Sequence, residues 1–277
     1  MANIIICREK VAETPFMFLN TKVEVSTYEE LCFYIYNNTV LISKSTLSEK
    51  LFNWIRDELG MTQLAERLYA LSNKVSFAQD MLVEILNAGD YYSPEEIKQY
   101  IEALQKYKKM PHIKREKMKA DAYLNARRYI RAATIYDNIL DYEKEVQDRP
   151  FFASVYQCRA IAAANNMDTA DAKKYFLKAY ELGGDPRSLK GYFFVVSAEE
   201  DITTLRSEVH KFGLDDEYFE NIMGEIGDSK EDVREMTVFA MLQRAVYNKL
   251  NKDMTDYDKR MDIILAEIKD EFRDQAI

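Results

Sequence analysis

Six times along the chain three apolar residues recur at spacings of four and then three. They are Leu64, Leu68, Leu71; Ile97, Ile101, Leu104; Ala132, Tyr136, Ile139; Ala172, Phe176, Ala179; Leu205, Val209, Phe212; and, more loosely, Val238, Leu242, Ala245. On an α-helix this spacing places three side chains in one row, whereas a strand would scatter them over both faces. Any amphipathic helix holds such a row, so one alone carries no weight. The constraint is the step between rows, whose first positions follow one another by 33, 35, 40, 33 and 33 residues. An apolar helical face repeated at a near-constant interval predicts an array of similar helical units.

Composition agrees with that reading. Eight Gly and five Pro in 277 residues leave few tight corners, which disfavours a β-sandwich or a doubly wound sheet. The expected fold class is mainly all-α. From residue 46 onward short amphipathic segments follow one another through short connections, the pattern of antiparallel helical neighbours. Gly60 and Gly183-Gly184 supply helix stops, and Ser93, Pro94 and Glu96 an N-cap, a first-turn proline and a capping-box acid. Residues 1–45 differ. NIIIC, PFMFL, KVEV and TVLI are β-compatible runs around one helix, STYEELCFYIYNN, where Thr27 and Glu30 have capping-box spacing. The division expected is therefore a small mixed α/β or irregular N-terminal cap over 1–45 and a helical-repeat domain over 46–277. The last helix carries Met261, Ile264, Leu265, Ile268 and Phe272 along one side. It caps the final hairpin or lies against a second subunit.

Two central units carry a more specific pattern. Ala120 and Tyr123 stand as small and aromatic residues on one helix, with Ala132 and Tyr136 on the next. Tyr156, Ala160 and Ala163 stand on a third helix, with Ala172, Phe176 and Ala179 on a fourth. Tyr123 to Ala132 and Ala163 to Ala172 are both intervals of nine residues. In these positions the chain resembles the tetratricopeptide (TPR) repeat family, whose helix–turn–helix unit is 34 residues long. The resemblance implies a TPR-like right-handed superhelix of antiparallel helix hairpins. Small residues where two helices cross let the backbones approach, and the large ring fills the groove of the following helix. Glu116 stands where the family has Trp, and Lys119 and Arg159 where it has Leu. A different α-helical array, such as a HEAT-like solenoid, also accommodates the pattern.

No catalytic signature is present. The chain has no G-x-G-x-x-G, G-x-S-x-G or H-E-x-x-H, and its two histidines, His112 and His210, lack helical ligand spacing. The sequence therefore predicts no enzyme activity, no cofactor and no metal. Cys7, Cys32 and Cys158 are odd in number and widely spaced; they read as thiols in a reducing compartment, and the cytoplasm is the expected location. No stretch approaches the roughly 20 apolar residues of a membrane helix.

Charge is unevenly distributed. Ten bases between Lys106 and Arg131 (Lys106, Lys108, Lys109, Lys114, Arg115, Lys117, Lys119, Arg127, Arg128, Arg131) face only Glu116 and Asp121. That segment carries +8 while the whole chain carries −9. A solvated face accounts for it, and so does a site for an acidic ligand. The TPR resemblance implies that Lys114, Lys117, Asp121 and Asn125 on one helix, and Gln157, Ile161 and Asn165 on another, line a concave face that grips an extended peptide. Amides would bond the peptide main chain and ammonium groups would meet its acids. Asp121 occupies a position that favours Asn in the family. The function expected is a non-enzymatic scaffold or adaptor that binds a protein or peptide, acidic in character. The alternative is RNA or polyphosphate binding through 106–131, where Tyr107, Tyr123 and Tyr129 are available to stack on bases; the acidic whole counts against it.

Overall fold

The computed structural model describes residues 10–72, 78–235, 237–251 and 254–276. The NIIIC run and Cys7 lie outside the described residues, as do the side chains of Val238, Ile268 and Phe272. The protein is mainly helical, with fourteen α-helices, one 3-10 turn and two short strands among the described residues. Among those residues no helix is long and apolar enough to cross a membrane. The chain divides into two compact units, residues 1–126 and 127–277.

The N-terminal unit opens with an antiparallel hairpin of β1 (Phe16–Phe18) and β2 (Val23–Val25), Phe16 opposite Val25. Then come α1 (Tyr28–Asn37), a 3-10 turn (Thr39–Leu41), α2 (Glu49–Asp57), α3 (Thr62–Ser72), α4 (Ala78–Asn87), α5 (Pro94–Lys109) and α6 (His112–Asn125). Thr27 caps α1 by accepting the Glu30 N–H, but the Glu30 carboxylate reaches back to the N–H of Ser26 at 2.6 Å. At α5 the reciprocal box of Ser93 and Glu96 is complete, with Pro94 in the first turn. The TVLI run is not a strand. The Thr39 hydroxyl lies 2.8 Å from the Ile35 carbonyl one turn back, so the chain continues α1 as a 3-10 turn.

One core serves this unit. Phe18, Tyr28, Leu31 and Ile35 are buried together with Leu51, Phe52 and Ile55 of α2, Leu64 and Leu68 of α3, Ile85 of α4 and Ile97 of α5. Residues 16–35 thus share their interior with the helices that follow. Cys32 is fully buried among these side chains, as a small core residue should be. Tyr28 ties two elements together: its hydroxyl donates to the Ile85 carbonyl at 2.6 Å, and its ring occupies the space where a Cβ on Gly89 would stand.

Among its described residues the C-terminal unit has helices and no strand: α7 (Tyr129–Leu140), α8 (Arg149–Asn165), α9 (Thr169–Gly183), α10 (Pro186–Glu199), α11 (Ile202–Lys211), α12 (Asp216–Glu235), α13 (Thr237–Leu250) and α14 (Met254–Ala276). Consecutive helices are neighbours throughout, an arrangement compatible with a helical repeat, and α14 also touches α7. Asp148, Asp168, Asp185 and Asp201 each accept a first-turn N–H of the helix that follows, which fixes four of the starts. Gly184, at φ 66°, ends α9 in the left-handed conformation that glycine adopts without a Cβ penalty.

The small–large–small rows are buried where described. Ala132, Tyr136 and Ile139 are interior, as are Ala172, Phe176 and Ala179. Ala160 and Ala163 of α8 lie in one core with Ala172 and Phe176 of α9 and with Phe193 of α10. The Phe176 ring rests where α10 has Gly191; a Cβ there would stand 2.5 Å from the ring. The last row departs from expectation. Ala245 is buried but Leu242 is 38% exposed, because the inward face of α13 runs through Met241, Ala245 and Asn248 instead. On α14 Ile264 is buried and Leu265 is exposed.

Two turns repeat their backbone forty residues apart. Ala126 (φ −80°, ψ 11°), Arg127 (φ 57°) and Arg128 (φ −91°, ψ 65°) join α6 to α7. Asn166 (φ −91°, ψ 12°), Met167 (φ 59°) and Asp168 (φ −90°, ψ 78°) join α8 to α9 with nearly the same angles. Both turns put a non-glycine residue in the left-handed region, which costs roughly 1–2 kcal/mol per residue.

Candidate functional site

An apolar concavity of the N-terminal unit is a groove of about 430 Å³ between α1 with its 3-10 turn and α5–α6. Its aromatic side is a stack. Tyr36 lies on Tyr92 with centroids 4.4 Å apart and on Tyr100 at 5.2 Å. The Tyr100 hydroxyl sits 2.9 Å from Thr39 Oγ1, and burial pushes its pKa up to about 12. Tyr107 and Leu104 extend this wall. Met118 of α6, 40% exposed, faces it. Polar groups enter from three sides: Asn37 from α1, Gln99 from α5, and Asp121 with Asn125 from α6.

The sequence-nominated residues fall in both units. On α6, Asp121 and Asn125 line the groove. Lys117, one turn before Asp121, donates to both of its carboxylate oxygens at 2.8 and 3.1 Å. Asp121 is thus held by a lysine of the same helix face. Lys114 is exposed. Gln157 and Asn165 stand on α8, in the other unit. Gln157 is half-buried, and the exposed Asn165 donates its amide to the Ile161 carbonyl at 2.9 Å.

The C-terminal unit has a groove of its own, of about 630 Å³, over α7, α8 and α9. Its lining is of mixed charge, with Asp137 and Asp141 of the α7 end and Lys174, Lys178 and Glu181 of α9, so it has little net attraction for either sign. Tyr156 closes one side, donating its hydroxyl to Glu143 at 2.7 Å and stacking on Tyr175. Arg159 stands where the TPR resemblance would put leucine. It stands buried at an apolar position, bonded to Asp137 at 2.7 Å and Asp171 at 3.2 Å, with its guanidinium 4.8 Å from the Tyr175 ring centroid. Acids from both flanking helices satisfy the charge that a leucine would not carry.

The basic stretch does not behave as one patch. Lys106, Lys109, Lys114 and Arg127 are exposed, Arg115 is half-buried and Arg128 is buried. Tyr123, one of three rings nominated for base stacking, is buried as well. Sequence reasoning named Asp121 and Asn125 but not Tyr36, Tyr100 and Met118, which meet them across the groove. No local signal links these residues, since Tyr36 and Asn125 belong to helices separated by four others. No family model, curated protein or solved structure matches the chain.

Proposed function

We propose that the protein is a non-enzymatic scaffold that holds an acidic peptide segment of a partner protein by an apolar anchor in the tyrosine-lined groove of its N-terminal unit. The observation that carries this reading is the meeting of Asp121 and Asn125 with the Tyr36–Tyr100–Tyr107–Met118 wall in one open groove. Such a wall accepts a leucine-sized or aromatic side chain, while the Asn37, Gln99 and Asn125 amides offer donors and acceptors to an extended main chain. Charge selects the sign of the segment. The exposed Lys106, Lys108, Lys109 and Lys114 stand on the two helices, α5 and α6, that line the groove, so approach of an acidic chain is favoured. Within this reading the repeated hairpins of the C-terminal unit belong to a TPR-like superhelix.

The test is selection from a random peptide library on the full-length chain, followed by binding of the consensus peptide to variants. The expected consensus pairs acidic residues with one large apolar residue. Met118→Glu, at an exposed position, should weaken the peptide about tenfold or more by placing a charge in the apolar wall. A consensus without acids, or unchanged binding by Met118→Glu, would overturn the reading. Binding of a mixed-sequence RNA with a steep salt dependence would instead favour the polyphosphate alternative.

A further inference from the structure

A second concavity of the N-terminal unit, about 460 Å³, lies between the β1 hairpin, the segment after the 3-10 turn and α6. Its lining includes apolar and aromatic side chains, Phe16, Leu19, Ile42 and Tyr107. It also carries hydroxyls and ammonium groups. Lys50 of α2 and Lys119 of α6 both line it, and neither has an acidic partner among the described residues. Glu116 lines the concavity too, its carboxylate 3.9 Å from His112 Nε2. Two lysines against one acid favour a bound anion.

The hydroxyls define which anion. Ser43 Oγ lies 2.6 Å from Ser45 Oγ and 3.2 Å from Thr46 Oγ1. Three hydroxyls joined by two hydrogen bonds retain one proton to donate outward. Ser48, which makes no side-chain cap to α2, adds a second. Two ammonium groups against one carboxylate leave the lining net positive, and several donors suit the three terminal oxygens of a phosphate better than the two of a carboxylate. We propose that this groove binds a phosphate monoester carried on an aromatic or apolar body. The assignment stands apart from the tyrosine-lined groove, although Val40 and Tyr107 line both.

Calorimetric titration of the full-length protein with phenyl phosphate, inorganic phosphate and phenol tests the assignment. Phenyl phosphate should bind about tenfold or more tightly than either fragment, because only it offers both a phosphate and an apolar ring to this lining. Replacing both lysines, Lys50→Met with Lys119→Met, should reduce that affinity about tenfold or more, at an unchanged thermal midpoint. Met118→Glu, which breaks the proposed peptide groove, should leave phenyl phosphate binding within about twofold. A phosphotyrosyl peptide that outcompetes phenyl phosphate makes the ligand protein-borne; one that does not makes it a small molecule. Equal affinity for phenyl phosphate and inorganic phosphate, or full binding by the double-lysine variant, would overturn the proposal.

Discussion

Both units solve the same packing problem, a large ring set against a glycine, with different partners. In the N-terminal unit Tyr28 lies over Gly89, and its hydroxyl needs the Ile85 carbonyl once buried. In the C-terminal unit Phe176 lies over Gly191 and needs no polar partner. The first device joins a helix to one four elements away; the second joins successive helices and suits repetition. The difference shows why one unit mixes a hairpin, a 3-10 turn and helices around one core, while the other proceeds helix by helix. Local contacts can be copied along a chain, whereas contacts between distant segments must each be specified separately.

Each unit also carries its own reporters. Trp54 and the fully buried Cys32 lie in the first, and the half-buried Cys158 in the second. The largest expected effect is that of Phe176→Ala, which opens a cavity in the C-terminal core at a cost of about 3–5 kcal/mol. In a Cys7→Ser background the labelling of Cys158 should then advance to lower denaturant while the Trp54 fluorescence transition stays in place. Movement of both by the same amount would show one cooperative block and remove the comparison. Gly191→Ala and Gly89→Ala should each cost about 1–3 kcal/mol, since a Cβ would meet a ring at 2.5 Å. Trimming the ring in Gly191→Ala with Phe176→Leu should recover part of that loss, while Gly89→Ala with Tyr28→Leu should recover less because the Ile85 carbonyl loses its donor.

Alkaline titration sharpens the contrast through groups whose folded pKa is raised. Burial pushes the Cys32 thiol up to about 12 and the Tyr100 phenol up to about 12. In the unfolded chain these groups lose protons near their ordinary values of 9.0 and 10.0. Their contribution is therefore intact below pH 9 and is lost as pH rises towards about 12. The midpoint reported by Trp54 should begin to fall near pH 9, and Cys32→Ser should delay the onset towards pH 10. The smallest effect concerns the repeated turn. Met167 is 86% exposed at φ 59°, so Met167→Gly relieves backbone strain and loses little packing. Its thermal midpoint should rise, by no more than the equivalent of about 1 kcal/mol.

How far the sequence could be read depends on the distance over which each feature is encoded. The row Ala172–Phe176–Ala179 was legible because three residues within two turns determine a helical face. The capping box at Ser93 was legible because donor and acceptor are three residues apart. TVLI misled because its β-branched composition carried no trace of Thr39 bonding back to Ile35. The row through Leu242 misled because the inward face of α13 reaches Ala245 by way of Met241 and not Leu242, and only packing chooses between neighbours so close in register. Of the nominated site residues, Asp121 and Asn125 could be placed on one helix face, but nothing in the local pattern announced Tyr36 across from them.

By itself the sequence determined the helical character of the chain, the periodic apolar rows and the excess of positive charge around α6. These depend on propensity, spacing and composition, which act over a few residues. Only the tertiary structure decided that the N-terminal strands share a core with α2–α5, and that Lys117 holds Asp121 at the edge of a tyrosine-lined groove. It likewise set Lys50 and Lys119 in the same concavity. Those outcomes follow from which distant surfaces exclude water together, a choice made by shape complementarity across the whole unit.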